Sequence, residues 1–334
     1  MTGPMRFSVI IPTFNSAPTL QVLLVSLGNQ KFRDFEVIVV DDGSTDETES
    51  CCAGRNVRYE RTPTRSGPAS ARNRGAEVAQ GEWLVFSDAD TVFEPSTLTT
   101  IDEIIRGADG SAYFGTYAGN PANPESLLAR YKALWEHYAI VMPFLHRDGE
   151  LHPMTTWVPR PGVVEHRAFD SVNGFDVRFR GADLEDLEFG YRLHAAGFPI
   201  YFAENLQIRH HYPTRLRRGL RSFSRRAAIW MRLALRRRRM DPAGEGAPRQ
   251  ALAHACGFAT IIAALVSPWA PPLGFFALGG FVCYAGLNAP FVGLALREEG
   301  PAFALTAFGL CWLYTAALGF GAVWGLVTGL SGRR

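Results

Sequence analysis

Short apolar runs rich in Val, Ile and aromatic residues alternate with stretches of helical spacing along the first 110 residues. The apolar runs predict strands over 7–11, 35–40, 57–60 and 83–86. The stretches between them predict helices over 17–29, 46–53 and 69–79. Strands that are apolar along their whole length and alternate with helices are typical of a parallel sheet covered by helices. The pattern therefore predicts an α/β domain of the Rossmann-like kind.

Residues 111–212 show a less regular pattern. Helical spacing predicts helices over 124–140 and 183–196, and a last strand over 199–209 leads to His210 and His211. The helix over 183–196 has Asp183 as its N-cap and ends at Gly197 and Pro199, which are good start and stop signals. We expect residues 1–212 to form one α/β domain with two halves, about 1–110 and about 111–212.

Residues 213–250 form a separate, Arg-rich segment. Eleven arginines lie between Arg215 and Arg239. The apolar residues among them recur at spacings of three and four, at Leu216, Leu220, Phe223, Ala227, Trp230 and Ala234. An apolar stripe on an Arg-covered helix predicts an amphipathic helix that lies in the interface of a membrane and binds anionic lipids.

Two long uncharged stretches follow, Ala251–Leu296 and Pro301–Leu330. A helix needs about 20 apolar residues to cross a membrane. The composition predicts about three transmembrane helices within 251–330, near 252–269, 273–296 and 302–328. A buried helical core domain is the alternative, but soluble cores seldom contain so long a stretch without a charge.

Composition and charge narrow the class of protein. The chain is 47% apolar with a net charge of +2, which excludes a disordered chain. Residues 1–212 hold 19 Lys and Arg against 28 Asp and Glu, whereas residues 213–334 hold 15 against 4. Nucleic acid is a rival ligand for the basic run, but the apolar segments that follow favour a membrane, so we expect no nucleic-acid partner. Arginines next to transmembrane helices lie mostly on the cytoplasmic side of the membrane. The Arg-rich segment therefore predicts a multi-pass inner-membrane protein with a cytoplasmic α/β domain.

Polar clusters follow three of the predicted strands. They are Pro12-Thr13-Phe14-Asn15, Asp41-Asp42-Gly43-Ser44 and Ser87-Asp88-Ala89-Asp90. Because ligands bind beyond the carboxyl ends of parallel strands, we expect the clusters to meet at one edge of the sheet. The last cluster suits a divalent cation or an Asp-rich turn, and the second suits a nucleoside contact or a helix cap at Ser44.

Two further clusters lie on predicted helices. Arg72 and Arg74 suit either phosphate binding or an ordinary surface helix. Acidic residues crowd the start of a later helix, at Asp183, Glu185, Asp186 and Glu188. Asp183 and Asp186 have the spacing of a capping box. The helix dipole also favours an ionised Asp186, which is the state that a general base requires.

Taken together, these runs resemble the family 2 glycosyltransferases of the membrane-anchored bacterial type, which have the GT-A fold. The matching stretches extend in order over about 8–212 and include Ser8–Asn15, Val39–Asp46, Ala71–Ala76, Phe86–Asp90, Asn173–Asp176 and Glu185–Phe198. The resemblance implies a mainly parallel GT-A sheet flanked by helices, with a nucleotide half (about 1–110) and an acceptor half (about 111–212).

The resemblance also implies roles for individual residues. Asp186 would be the catalytic base, with Glu185 beside it. A nucleotide-diphosphate sugar would be bound by Pro12, Thr13, Asn15, Asp41, Asp42, Arg72, Asn73, Asp88 and Ala89, with Asp42 on the base and Asp88 on the ribose or sugar. Asp90 would bind the diphosphate through Mg²⁺ or Mn²⁺. His210 and His211 have either a metal or phosphate role or a structural one. Residues 150–170, with Trp157, Arg160 and His166, would form the acceptor wall.

The expected function is therefore inverting, hexosyltransferase-like transfer of a single sugar to a lipid or lipid-linked hydroxyl, in cell envelope biosynthesis. Two alternatives stay open. A processive polysaccharide synthase is disfavoured because the chain lacks the Gln-x-x-Arg-Trp signature, which Arg225-Arg226 followed by Trp230 does not reproduce. A non-catalytic membrane scaffold that binds a nucleotide sugar is disfavoured because Asp88, Asp90 and Asp186 are all present.

Overall fold

The computed structural model describes residues 5–141, 144, 151–179, 181, 184–237 and 248–330. The predicted N-cap Asp183 lies outside these residues. The described part of the chain divides into two compact units. The first unit draws on residues 1–124 and 146–211, and the second draws on 125–145 and 212–334.

The described residues of the first unit form nine strands and six helices. Its strands are β1 (Met5–Thr13), β2 (Phe35–Asp41), β3 (Arg58–Arg61), β4 (Gly81–Phe86), β5 (Thr91–Val92), β6 (Ala112–Tyr117), β7 (Leu151–Met154), β8 (Gly162–Glu165) and β9 (Ile200–His210). Its helices are α1 (Ala17–Gly28), α2 (Thr48–Cys52), α3 (Pro68–Val78), α4 (Thr97–Gly107), α6 (His166–Ser171) and α7 (Glu185–Ala195). The second unit consists of α5 (Leu127–Val141), α8 (Leu216–Arg237), α9 (Pro248–Val266), α10 (Pro272–Glu299) and α11 (Pro301–Leu330).

The strands form one sheet with the order β3-β2-β1-β4-β8-β6-β9-β5, and β7 pairs with β9. The four strands β1 to β4 are parallel, as their uninterrupted apolar runs predict. Thr13 at the end of β1 pairs with Asp41 at the end of β2, and Ile10 pairs with Phe86 at the end of β4. The three polar clusters that follow these strands therefore meet at one edge, as predicted.

The second half of the sheet is mixed. β8 is antiparallel to both β4 and β6, and β9 is parallel to β6 but antiparallel to β5 and β7. The sequence pattern did not predict β5 to β8, because each has six residues or fewer and gains its stability from neighbours distant in the chain. The α/β class is confirmed, and the antiparallel strands complete a mixed GT-A-like sheet.

Aromatic residues fill the core beneath the candidate site. Phe86 at the end of β4 contacts Trp157, Phe169 and Phe175, and Phe175 lies 4.6 Å from Phe189 of α7 between ring centroids. Trp157 is fully buried, and its indole N–H donates to the carbonyls of Tyr113 and Val163. This cluster fixes α7 against the sheet, because large aromatic side chains contribute strongly to core packing.

Three helices of the second unit are long and apolar enough to cross a membrane: Arg249–Val266, Pro272–Glu299 and Pro301–Gly329. They agree with the three predicted spans. Helix α8 packs its apolar stripe along the second half of α11, burying Phe223, Ala227 and Ala228. The approach is close, because a Cβ added at Gly321 or Gly325 would collide with the backbone of Ser224 or Ala228.

Candidate active site

Asp41 is buried at the end of β2 and organises the loop that follows. Its Oδ1 accepts the backbone N–H of Ser44 at 2.8 Å, and its Oδ2 accepts the hydroxyl of Tyr59 at 2.7 Å. Burial, together with this bond to the Asp41 carboxylate, raises the pKa of Tyr59, which keeps the hydroxyl protonated as a donor. Asp41 thus fixes the conformation of this loop at the edge of the sheet where the nucleotide is predicted to bind.

Asp42 is also buried, and it holds the loop before α3. Its Oδ1 accepts from the hydroxyl of Thr62 at 2.9 Å and from the backbone N–H of Ser66 at 2.8 Å, and its Oδ2 accepts from Gly67 N–H at 2.7 Å. Gly67 has φ +93°, a conformation that favours glycine, and it begins the helix that carries Arg72. Asp42 therefore fixes the entry to α3.

The loop after β1 also contributes to this edge. Asn15 is exposed with φ +48°, and its Oδ1 accepts the backbone N–H of Thr45 at 2.8 Å. The Arg65 guanidinium lies 3.8 Å from the ring centroid of Phe14. Pro12 is half-buried, and Thr13 and Ala89 are buried. The Arg65–Phe14 contact joins two loops and has no signal in the sequence.

Arg72 connects two acidic residues of the site. Its Nη1 donates to Oε1 of Glu185 at 2.7 Å, and its Nη2 donates to Oδ1 of Asp88 at 2.9 Å. The side chains of Arg72 and Glu185 are each 4% exposed, whereas that of Asp88 is 37% exposed. Burial lowers the pKa of Arg72, but the attraction of the two carboxylates prevails, so that the guanidinium stays charged.

The side-chain amide of Asn73 is hydrogen-bonded to the backbone of the protein itself. Its amide donates to the carbonyl of Phe175 and accepts the N–H of the same residue, both at 2.8 Å. Arg192 binds the same turn from α7, donating to the carbonyls of Val172 and Gly174 while it pairs with Glu188. The i, i+4 spacing of Glu188 and Arg192 is a sequence signal for that ion pair.

Asp186 lies in the first turn of α7, half-buried. Burial and the negative charge of Glu185 raise its pKa to about 6, although Arg72, the N–H of Leu187 and Arg160 oppose the shift. Oδ1 accepts the N–H of Leu187 at 2.8 Å. In the described part of the chain Oδ2 has no hydrogen bond. A carboxylate with a free oxygen and a pKa near neutrality can accept a proton from a hydroxyl group.

Asp90 and His210 meet where β5 pairs with β9. Nε2 of His210 lies 3.3 Å from Oδ1 of Asp90, and His211 donates its backbone N–H to the Asp90 carbonyl at 2.7 Å. Burial raises the pKa of the Asp90 carboxyl, but attraction to His210 outweighs it, and the pKa lies below its ordinary value. Among the described residues no group of three or more His, Cys, Asp or Glu could hold a metal ion.

The predicted acceptor-wall residues occupy different places. Arg160 lies 5.3 Å from the ring centroid of Tyr117, which stacks on His210 at 4.4 Å. Trp157 belongs to the buried aromatic core instead of a wall. The Nδ1 of His166 lies 3.0 Å from the carbonyl of Gly81 at the start of β4. Of the three, Arg160 is the one placed near Asp186 and the metal candidates.

Comparisons with known proteins show what this sequence is similar to. Residues 8–151 match the Glycosyl transferase family 2 profile. The chain is 33% identical over 220 residues to validoxylamine A glucosyltransferase of Streptomyces hygroscopicus subsp. jinggangensis, covering 58% of this chain and 52% of that protein. It is 40% identical over 112 residues to a PGL/p-HBAD biosynthesis glycosyltransferase of Mycobacterium bovis, covering 31% and 43%. The chain thus spans about half the length of the curated relatives it matches.

A solved structure shows the same fold. The mannosyltransferase PcManGT from Pyrobaculum calidifontis, in complex with GDP-Man and Mn²⁺, superposes with a TM-score of 0.57 at 18% identity, covering 100% of this chain and 89% of that one. At this identity the likeness concerns the fold alone. The profile match and the superposition lead to one conclusion: residues 8–151 carry a Glycosyl transferase family 2 domain, in a chain with a GT-A fold.

Proposed function

We propose that this protein is an inverting glycosyltransferase that moves a single sugar from a nucleotide-diphosphate sugar to the hydroxyl of a lipid or lipid-linked acceptor. The observation that carries the proposal is the Asp186 carboxylate, which has a raised pKa and an Oδ2 without a hydrogen bond to any described residue. The neighbouring charge cluster of Asp88, Arg72 and Glu185 adds a polar edge where a donor can bind.

Asp186 acts as the general base in the proposed reaction. It takes the proton of the acceptor hydroxyl while that oxygen forms a bond to the anomeric carbon. The bond from this carbon to the diphosphate oxygen breaks, and its electron pair leaves with the diphosphate. Attack from the face opposite the leaving group inverts the anomeric centre. Proton transfer to a positioned base contributes typically 10²–10⁴-fold to the rate.

A divalent cation, Mg²⁺ or Mn²⁺, fits the donor groups at Asp90. The carboxylate is 44% exposed and lies beside the imidazole of His210, so that oxygen and nitrogen ligands come together. Mg²⁺ in proteins is commonly held by one or two carboxylates plus substrate phosphates. Asp90 and His210 would hold the ion, which when bound supplies positive charge for the leaving diphosphate. His211 contributes its backbone N–H to the position of Asp90.

A lipid acceptor is supported by the second unit. Its three apolar helices are suited to a membrane, and α8 contains no acidic residue. Arg217, Arg218, Arg221, Arg225 and Arg226 are exposed on α8, where they can contact anionic headgroups. The arginines favour an arrangement in which the second unit lies in the inner membrane and the catalytic unit faces the cytoplasm.

Nucleotide release by the purified full chain tests the proposal. We expect release with one donor from a panel of nucleotide sugars, only with Mn²⁺ or Mg²⁺ and with a membrane lipid extract. Asp186→Asn should abolish release and leave nucleotide affinity within about threefold, because the base acts on the acceptor. Asp170→Asn, on the exposed side of α6, is the matched control. Release with soluble acceptors alone would contradict the lipid acceptor, and a ladder of long products would indicate a processive synthase.

A further inference from the structure

A single buried guanidinium connects the two sides of the candidate active site. Arg72 projects from α3 and donates to Glu185 at the start of α7 and to Asp88 after β4. With 4% exposure, the Arg72 side chain is covered, whereas Asp88 is open to a donor. A bound nucleotide sugar can therefore contact Asp88 directly, while Arg72 lies behind it.

The residue before Glu185 has an unusual backbone conformation. Leu184 has φ +105°, a strained conformation that a residue with a side chain like that of leucine rarely adopts. Oε2 of Glu185 accepts the N–H of Leu184 at 3.2 Å, while Oε1 accepts from Arg72. The carboxylate that Arg72 holds thus also holds the strained turn from which the helix of Asp186 begins.

We infer that Arg72 is a positioning residue of the transfer reaction, whose guanidinium fixes Glu185 and Asp88 together and so aligns the Asp186 end of α7 with the donor edge of the sheet. The inference rests on the proposed function and gives Arg72 a role other than the nucleotide contact that the family resemblance implies. A lysine could not replace it fully, because an ammonium lacks the fork of donors that serves two carboxylates.

The inference has an electrostatic consequence. Among the residues that the structure describes, three charged groups influence Asp186: Glu185 on its own helix, Arg72 from α3 and Arg160 from the segment between β7 and β8. Glu185 favours the protonated carboxyl, and the two arginines favour the carboxylate. Loss of the Arg72 charge removes the larger of these two opposing influences and leaves Arg160, so that Asp186 should need a higher pH to ionise.

The test compares Arg72→Gln and Arg72→Lys in the full chain, with Arg74→Gln as the matched control. Arg74 lies on the same helix but is half-exposed and pairs with Glu60 and Glu77. We expect kcat to fall at least about tenfold in both Arg72 variants, because small displacements of reacting groups cost one to two orders of magnitude. Nucleotide affinity should stay within about threefold. On the acid side of the pH profile, the pH at which activity falls to half should increase by about one pH unit in Arg72→Gln and by less in Arg72→Lys.

The variant Glu185→Gln should shift the acid side of the pH profile in the opposite direction. Because the Glu185 charge raises the pKa of Asp186, its removal should move the acid limb to lower pH while kcat also falls. An acid limb that is unchanged in all these variants, together with nucleotide binding weakened in Arg72→Gln alone, would overturn the inference and make Arg72 a nucleotide ligand.

A stability measurement separates this inference from the proposed function. If the wild-type chain releases no nucleotide with any donor, the proposed function fails, but the link between Arg72 and Glu185 can still be measured. The losses in thermal stability of Arg72→Gln, Glu185→Gln and the double variant should be non-additive, because either single change already breaks the buried Arg72–Glu185 ion pair and the double variant cannot lose it again. Additive losses would overturn the inference.

Discussion

Nε2 of His210 lies 3.3 Å from Oδ1 of Asp90, although the two residues are far apart in the chain. The two-residue strand β5 pairs Thr91 with His210 and so brings the neighbouring Asp90 to the end of β9. This arrangement unites a carboxylate and an imidazole at the edge where the diphosphate of a donor is expected.

A metal-dependence experiment follows from this pair. Asp90→Asn and His210→Gln should each raise the Mn²⁺ concentration needed for half-maximal nucleotide release by at least about tenfold, because each removes a ligand or its orienting partner. His194→Gln, on the exposed side of α7, is the control. An unchanged metal requirement in both variants would exclude these residues as the metal site.

The raised pKa of Asp186 predicts the pH dependence of the reaction. Burial and Glu185 raise this pKa to about 6, and a general base must be deprotonated to act. The value of kcat/KM should therefore fall as the pH drops below about 6 and level off above it. Nucleotide release measured on both sides of pH 6 checks this, and full activity retained near pH 4 would show that Asp186 is not the titrating base.

Asn73 should matter for stability more than for donor binding. Both polar atoms of its amide are used by the backbone of Phe175, and Asn73→Ala would leave that N–H and carbonyl without partners. A loss of about 1–3 kcal/mol is expected from thermal or denaturant unfolding. The exposed Asn56→Ala serves as control. A large fall in nucleotide affinity at unchanged stability would instead support the pocket role that the family resemblance implies.

The basic side of α8 predicts a dependence on anionic lipid. We expect phosphatidylglycerol to raise the unfolding temperature of the detergent-solubilised chain. A triple variant should lose most of that increase when Gln replaces Arg217, Arg218 and Arg221. Each basic residue near an anionic surface contributes about 1 kcal/mol, and salt should weaken the effect. The control is a triple variant of the first unit in which Gln replaces Arg33, Arg55 and Arg106. A gain that persists in the α8 variant at low and high salt would contradict the electrostatic account.

Close packing of α8 on α11 predicts a strong effect of side-chain size. Gly325→Leu should lower the unfolding temperature, because its Cβ would meet the backbone of Ala228 and overpacking costs about 1–3 kcal/mol. At Gly309 on the same helix, an added Cβ would have no atom of a neighbouring element within 4 Å, so Gly309→Leu is a matched control with little expected effect. Equal losses in both variants would argue against this helix contact.

The local pattern was sufficient to predict the parallel half of the sheet and the three apolar helices. Uninterrupted apolar runs such as 35–40 have few alternatives to a buried strand, and long uncharged segments have few alternatives to a membrane helix. Both signals lie within one stretch of chain. The three polar clusters at one sheet edge followed from the same parallel topology.

The short strands β5 to β8 were not predictable, because their stability comes from partners far along the chain. Helix α5 itself was predicted from its helical spacing, but its packing against α10 and α11 was not, because those helices are also far along the chain. The contacts that Arg72 and Asn73 make within the protein were also not predictable from the motif. A motif gives the residue type and its order, but hydrogen-bond partners depend on which side chains the fold brings within reach.

The sequence by itself determined the α/β class, the acidic residues at the strand ends, the Arg-rich helix and the apolar helices, because each depends on the spacing of residues close together in the chain. Only the tertiary structure decided that Arg72 contacts Glu185, that His210 meets Asp90 and that Asp186 has a raised pKa. These relationships depend on burial and on distances between remote segments, which local periodicity does not encode.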